Sequence, residues 1–311
     1  MKILVTGGSG FIGRELISAL RSRFETDKIY NLSHTRLFHE DQTNLSKANV
    51  QTADITQFNL IGKVVNELQP DYIIHLAGLS SVADSYDHIN EYMNTNLIGT
   101  INLTEACRKH VKDFKKMIFA STIHVYKDTL GILQYEDITP QEPNSPYGVT
   151  KLAAEKYLLY LFNDFGFPLT ILRLSNVYGR NKNYPPAVVE RMITQALSPD
   201  KVIRLGSPKP VRDFIYISDV LDAFTKCIQC DSDYGQVLNI STSVPTSIES
   251  LAKTIIEMTD TKAELIWNSG ASRYGDPLWL VSSNSKAKKI LGWLPRVSVS
   301  EGIQKTIEKY R

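Results

Sequence analysis

Six strand-length apolar runs, separated by stretches of helical spacing, fix the architecture this chain can adopt. They fall at residues 2–6, 28–32, 50–53, 72–77, 116–120 and 170–174. Between the first two, Phe11, Ile12, Leu16, Ile17, Leu20 and Phe24 recur at the spacing of one helix face, and residues 57–69, 88–110 and 148–165 show the same signal. Strands that are apolar at nearly every position are buried on both faces, which requires a parallel sheet covered by helices on each side. Right-handed crossovers then give a doubly wound α/β sheet, with its ligand crevice at the carboxyl ends of the strands.

Beyond about residue 175 the pattern changes. Pro185, Pro186, Pro199, Pro208 and Pro210 punctuate shorter elements, and residues 263–268 read as one more strand. Residues 219–228 and 237–240 still look like helix followed by strand. The expected organisation is therefore a nucleotide-type sheet domain over 1–175, with 212–240 returning to it. A smaller α/β lobe is expected over 176–211 and 241–311.

The first strand runs directly into Gly7, Gly10 and Gly13. This spacing allows a tight turn, close approach of backbone to a pyrophosphate, and packing of the following helix on the sheet. Phe11 and Ile12 open that helix, whose N-terminal N–H groups and dipole favour phosphate. An acidic residue some twenty positions on would select NAD through the ribose hydroxyls. None stands between Asp27 and Glu40, whereas Ser33, His34 and Arg36 do. This set suits a 2′-phosphate, so NADP(H) is favoured and NAD(H) is the alternative. Asp54, beside Ile55, is read either as an acceptor for the adenine amino group or as a cap for the helix beginning near Thr56.

Tyr147 and Lys151 lie four residues apart in a helical stretch, hence on one face, and Thr122 ends the preceding strand. A free tyrosine titrates near 10. A neighbouring ammonium favours the phenolate, and a threonine hydroxyl can hold that oxygen in place. The arrangement suits proton exchange with an alcohol while a nicotinamide exchanges a hydride.

With these residues in view, the chain resembles the extended short-chain dehydrogenase/reductases that act on nucleotide sugars as epimerases, dehydratases and reductases. The resemblance also rests on His75-Leu-Ala77-Gly, Asn96-Leu-Ile-Gly-Thr, Leu172-Arg-Leu-Ser-Asn-Val-Tyr-Gly, Val211-Arg-Asp-Phe, Arg273-Tyr-Gly-Asp276 and the stretch from Ser285 to Pro295. It implies that Thr122, Tyr147 and Lys151 are catalytic, with Lys151 also holding the nicotinamide ribose. The cofactor set is then Gly7, Gly10, Phe11, Ile12, Gly13, Ser33, His34, Arg36, Asp54, Ile55, Ala77 and Lys151. Asn176 is expected to meet the substrate near its diphosphate, and Arg212 and Arg273 to clamp that diphosphate in forked geometry. The alternative is ion pairing, of Arg212 with Asp213 or Asp219 and of Arg273 with Asp276. A homodimer is implied through the helices near 90–110 and 148–165, where Tyr157, Leu158, Leu161 and Phe162 form an apolar stripe that could equally face the sheet.

The chain departs from the resemblance at one informative place. Dehydratases of this group carry an Asp-Glu pair just after the catalytic threonine, and decarboxylases a Glu. Here Ile123 and His124 stand there. Chemistry at sugar C4 is what is left. The missing acid after strand 2 favours NADP-dependent reduction of a nucleotide-linked 4-keto-6-deoxy sugar. The alternatives are an NAD-dependent 4-epimerase and, more remotely, a non-catalytic nucleotide sensor. His124 either touches the sugar or faces core or solvent.

Composition narrows the partners. With 35 basic and 33 acidic residues the net charge is +2, which gives no bulk attraction to nucleic acid or a membrane surface. Three cysteines make no disulfide framework. Cys227-Ile-Gln-Cys230 has no second Cys/His pair nearby, so packing is its expected role and no metal is expected. The first residues enter a strand without a leader pattern, and no run of 18 apolar residues occurs. A reducing, cytoplasmic setting is expected.

Overall fold

Ile-Leu-Val-Thr, buried at every position, forms β1 (Ile3–Thr6). Helix α1 (Phe11–Phe24) follows and buries Gly13, Leu16, Ile17 and Leu20 against the sheet. Next come β2 (Ile29–Ser33), β3 (Val50–Thr52), α2 (Phe58–Leu68) and β4 (Tyr72–His75). They are followed by α3 (Gly99–His110), β5 (Lys116–Thr122), α4 (Pro146–Phe165), β6 (Leu169–Leu174), α5 (Ile217–Gln229) and β7 (Val237–Ile240). The computed structural model describes residues 1–24, 28–34, 49–269 and 276–311. Its strands form a seven-stranded sheet in the order β7-β6-β5-β4-β1-β2-β3. β1 pairs in parallel with β2 and β4, β2 with β3, and β4 with β5. This is the expected doubly wound α/β fold. The strand order reverses between β1 and β4, so the ligand crevice lies where those two strands end.

The expected long helix at 88–110 forms, with a change of pitch inside it. Residues Ile89–Tyr92 are α-helical, Met93–Ile98 form a π-helical stretch, and α3 begins only at Gly99. Two contacts lie at this stretch. The Ile55 side chain fills the space beside Gly99, where a Cβ would come within 2.6 Å of it. Asn96 is drawn inward, fully buried, to bond the loop after β4. The apolar stripe on α4 also resolves. Leu158 and Leu161 are buried in the core under the sheet, with Tyr157 and Phe162 packed against it, so this stripe faces inward. No helix among the described residues is long and apolar enough to cross a membrane.

The chain divides into two units. The first comprises Met1–Val125, Gln141–Arg173 and Leu221–Leu238. The second comprises Tyr126–Pro140, Leu174–Val220 and Asn239–Arg311. Within the second, Glu190 is fully buried and accepts the backbone N–H groups of Gly179 (2.9 Å), Arg180 (3.1 Å) and Ala187 (3.1 Å). One carboxylate thereby anchors both ends of the Asn181–Pro186 segment, for which sequence reasoning offers no role. Asp213, also fully buried, takes hydrogen bonds from Ser175, Thr242 and Ser243. Burial still pushes its carboxyl up to about 6. Trp293 is buried with its indole N–H on the Asp219 carbonyl, 3.0 Å.

Cys227 and Cys230 end α5, the first buried and both without a disulfide. Their carbonyls accept from the ammonium of Lys116, which also meets Asp233 at 2.5 Å and lies 4.2 Å from the centre of the Tyr234 ring. Lys116 and Asp233 are 1% and 0% exposed. Such a pair adds little net stability compared with an apolar pair, but removing one partner strands a buried charge. Lys116→Met is therefore expected to lower the unfolding free energy by about 3–5 kcal/mol, read by urea denaturation. The same change at the exposed Lys253–Glu249 helix pair is expected to cost little.

Candidate active site

Two loops meet at the switch point of the sheet. Gly7 leaves β1 at φ +70°, and a Cβ there would sit 2.7 Å from the backbone nitrogen of Ala77, just past β4. Only glycine lets these loops pack so closely. α1 begins four residues later with no acidic side chain in its first turn, so nothing competes for an anion at its positive end. Ser33, at the end of β2, shares a hydrogen bond between hydroxyls with Ser9 of the glycine loop. Ile55 is buried against Gly99.

Asp54 serves local structure with one oxygen. Its Oδ1 accepts from the Thr56 N–H (2.9 Å) and hydroxyl (2.8 Å), while Oδ2 faces His34 Nε2 at 3.5 Å. The exposed His34 ring thus already has an acidic neighbour. Arg36, the third member of the set read as a 2′-phosphate site, lies outside the described residues.

A buried hydrogen-bond chain ties these loops to the sheet. The Ala77 N–H donates to Thr6 Oγ1 (3.2 Å), and the Thr6 hydroxyl donates to His75 Nδ1 (2.7 Å). On the far side, His75 Nε2–H donates to Thr100 Oγ1 (3.0 Å), whose own proton goes to the Asn96 carbonyl (2.6 Å). Each hydroxyl has one proton to give, so this order requires a neutral imidazole protonated on Nε2. Burial, with the charge of Lys151 nearby, pushes the His75 pKa down to about 3. The Asn96 amide then bonds both backbone groups of Leu79 (2.8 and 3.0 Å) and reaches Thr150 Oγ1 at 3.0 Å. Thr150 in turn donates to the Tyr147 carbonyl.

The three residues expected to be catalytic gather here. Ser145 caps α4, accepting the Gly148 N–H, and Pro146 occupies its first position, both favoured at a helix start. Tyr147 follows, with its phenol hydrogen-bonded to Thr122 at the end of β5. Gly148 is held 2.5 Å (measured from an added Cβ) from the His124 carbonyl, so any side chain there would lever Tyr147 away from Thr122. Lys151 lies one turn on, its ammonium 4.3 Å from the centre of the Phe119 ring. It meets no protein hydrogen-bond acceptor among the described residues. A buried, unsatisfied cation beside an acid-free helix start and a glycine turn fits a nicotinamide dinucleotide. Gly7, Gly10, Gly13, Phe11, Ile12, Ser33, Asp54, Ile55, Ala77 and Lys151 are the residues that would line it.

One electrostatic expectation is reversed. The sequence predicts an ammonium drawing the tyrosine down, but burial pushes Tyr147 up to about 12, and the Thr122 hydrogen bond only moderates this. Lys151 is pushed down to about 8 by the same burial, with the Glu155 carboxylate pulling it back up. Desolvation outweighs pairing because Tyr147 and Lys151 are 8% and 7% exposed. The His124 ring meets Tyr147 edge-on, with ring centres 6.0 Å apart, and the His124 backbone N–H donates to Thr122 Oγ1 at 3.2 Å. Ile123 is fully buried.

Asn176 and Arg212 belong to the second unit. Asn176 donates to the Asp213 carbonyl. Arg212 is buried and pairs with Asp276, Nη2 to Oδ1 2.9 Å, rather than with Asp213 or Asp219. Arg273 lies outside the described residues. Sequence reasoning quoted His75 and Asn96 only as parts of motifs and missed Glu155. A histidine in an apolar strand is the one signal that could have flagged the first.

Comparison with known proteins agrees with this geometry. The model of the NAD dependent epimerase/dehydratase family matches residues 3–241. Human dTDP-D-glucose 4,6-dehydratase is 31% identical over 319 residues, covering all of this chain and 90% of its own. UDP-glucose 4-epimerase of Mycolicibacterium smegmatis is 30% identical, covering 100% and 99%. Among solved structures, UDP-glucose 4-epimerase of Thermotoga maritima with UDP-glucose matches at a TM-score of 0.88 and 30% identity, over 100% of this chain and 99% of that one. The Thermus thermophilus UDP-glucose 4-epimerase in complex with NAD matches at 0.88 and 27%, with the same coverage.

The neutral His75 makes a pH signature. Its folded pKa lies below its unfolded value of about 6.5, so the stability it contributes is present above that value and is lost as pH falls toward about 3. Urea unfolding is expected to weaken by about 1.4 kcal/mol per pH unit from this residue below pH ~6. In His75→Gln the slope should be shallower by one proton. An identical slope in the two proteins would refute the assignment.

Proposed function

The chain belongs to the NAD-dependent epimerase/dehydratase family, and we propose from that premise that it oxidises and reduces C4 of a nucleotide-linked sugar. The observation that carries the reading is the Tyr147, Lys151 and Thr122 cluster, with no carboxylate at Ile123 or His124. A bound nicotinamide dinucleotide supplies the hydride acceptor and donor. Tyr147 takes the proton from the C4 hydroxyl and returns it to the C4 oxygen, and Thr122 orients the phenol for both transfers. Lys151 stabilises the phenolate and holds the ribose next to the nicotinamide. Elimination of water across the sugar needs a further acid and base, and no carboxylate pair stands at Ile123 and His124 to supply them.

The full-length likeness to 4-epimerases and the NAD in one of those structures support a 4-epimerase with NAD as the first reading. The second reading is NADP-dependent reduction of a 4-keto-6-deoxy nucleotide sugar. It rests on the absence of an acid at the end of β2, where Ser33 and His34 stand. Asn176, Arg212 and Arg273 are proposed to meet the diphosphate, and the exposed Ile89, Val149 and Tyr160 to contribute to a homodimer face.

Two measurements test this. Denaturing the purified protein and identifying released nicotinamide by mass separates the readings. Near-stoichiometric NAD supports the epimerase, while NADP or little nicotinamide supports the reductase. Tyr147→Phe is expected to lower kcat by about 10²-fold or more with either substrate class, while nucleotide-sugar binding is retained. Undiminished turnover would overturn the C4 chemistry.

A further inference from the structure

Tyr147, Lys151 and Glu155 follow one another at four-residue intervals on α4, and all three are buried. They therefore form one continuous inward face. Glu155 is fully buried, yet its carboxylate is well satisfied. Arg173 on β6 reaches it with Nε at 3.0 Å from Oε1 and 3.2 Å from Oε2, and with Nη2 at 2.6 Å from Oε2. The Ser121 hydroxyl, one residue before Thr122, donates to Oε1. The guanidinium and the hydroxyl supply the opposite charge and the hydrogen bonds that a buried carboxylate requires. The structure thus holds a fixed negative charge one helical turn from the Lys151 ammonium.

We infer that Glu155, locked by Arg173 and Ser121, is a positioning residue that keeps Lys151 protonated inside an apolar site and holds the end of β5 in register with α4. The inference rests on the reading of Lys151 as the partner of Tyr147. The ammonium sits over Phe119 with little access to water, where burial alone favours the neutral amine. The other titratable groups facing this region are Tyr147 on the same helix, His75 from β4, Tyr92 beyond Tyr147, and Arg173 behind Glu155. His75 is neutral, and both tyrosines are pushed up to about 12. Glu155 is therefore the one negative charge in this group that offsets the desolvation of Lys151. A purely structural ion pair would have no effect on the titration of Lys151.

The test reads Lys151 without substrate. The protein is acylated with acetic anhydride across about pH 6–11, and modification of Lys151 is quantified by mass spectrometry against the exposed Lys63. In Glu155→Gln the pH of half-maximal labelling is expected to fall by about one unit or more. Glu155→Gln/Arg173→Met, which leaves no stranded guanidinium, should shift the same way by less, since Arg173 lies behind the carboxylate. The double variant decides the matter if the single one does not fold. An unchanged profile in a folded variant overturns the inference. Turnover measured in parallel keeps the two readings apart: a labelling shift in a protein inactive on every nucleotide sugar supports the role of Glu155 and counts against the C4 chemistry.

Discussion

A neutral imidazole inside a parallel sheet is the constraint on which the site depends. His75 has no solvent and two hydroxyl partners, so it can be satisfied only in one tautomer and with both threonines oriented. That orientation makes Thr6 accept the Ala77 N–H and so closes the β4 loop onto Gly7. On the other side it makes Thr100 donate to Asn96, whose amide then fixes Leu79 and, through Thr150, the start of α4. Protonating the ring would add a second donor facing a hydroxyl already used as its donor. The loops at the switch point, the π-helical stretch and the Tyr147 helix are thus satisfied together or not at all.

Buried charge is handled in the same way at two further places. Lys116 with Asp233 closes the end of α5, and Arg173 with Glu155 clamps α4 to β5 and β6. Neither pair is an efficient source of stability, because desolvation consumes most of the Coulombic gain. What each supplies is uniqueness. An apolar face can slide along a helix by a turn at modest cost, whereas a guanidinium with two fixed oxygens cannot. At α4 that register matters, because a shift of one turn would exchange Tyr147 for Lys151 opposite Thr122.

The sheet was legible because parallel strands buried on both faces read as unbroken apolar runs, and glycine at 7, 10 and 13 can be placed by spacing alone. Tyr147 and Lys151 were legible for the same local reason, a helix period. What was not legible depended on distance or on depth. Arg212 finds Asp276, 64 positions away, instead of its sequence neighbours. The π-helical stretch at Met93–Ile98 contains Asn96, which bonds a loop seventeen residues earlier, a contact that no helix propensity records. Cys227 and Cys230 resemble a redox pair in sequence, whereas it is their carbonyls that carry a role, as acceptors for Lys116. The tyrosine was expected to be lowered because the ammonium is visible in sequence, but the desolvation that raises it is not.

That reversal bears on how the proposed chemistry is poised. With Tyr147 near 12 and Lys151 near 8, the resting pair holds its protons as phenol and largely as ammonium at neutral pH. The free protein is therefore set to give a proton, and taking one from an alcohol requires something further to favour the phenolate. A site that filled with solvent could not hold these values, since both shifts come from exclusion of water. Lys151 stands one helical turn from Tyr147, and a cation placed there favours the phenolate. Glu155, two helical turns beyond Tyr147, adds a carboxylate on the same face behind Lys151, remote from the position where the sugar would react.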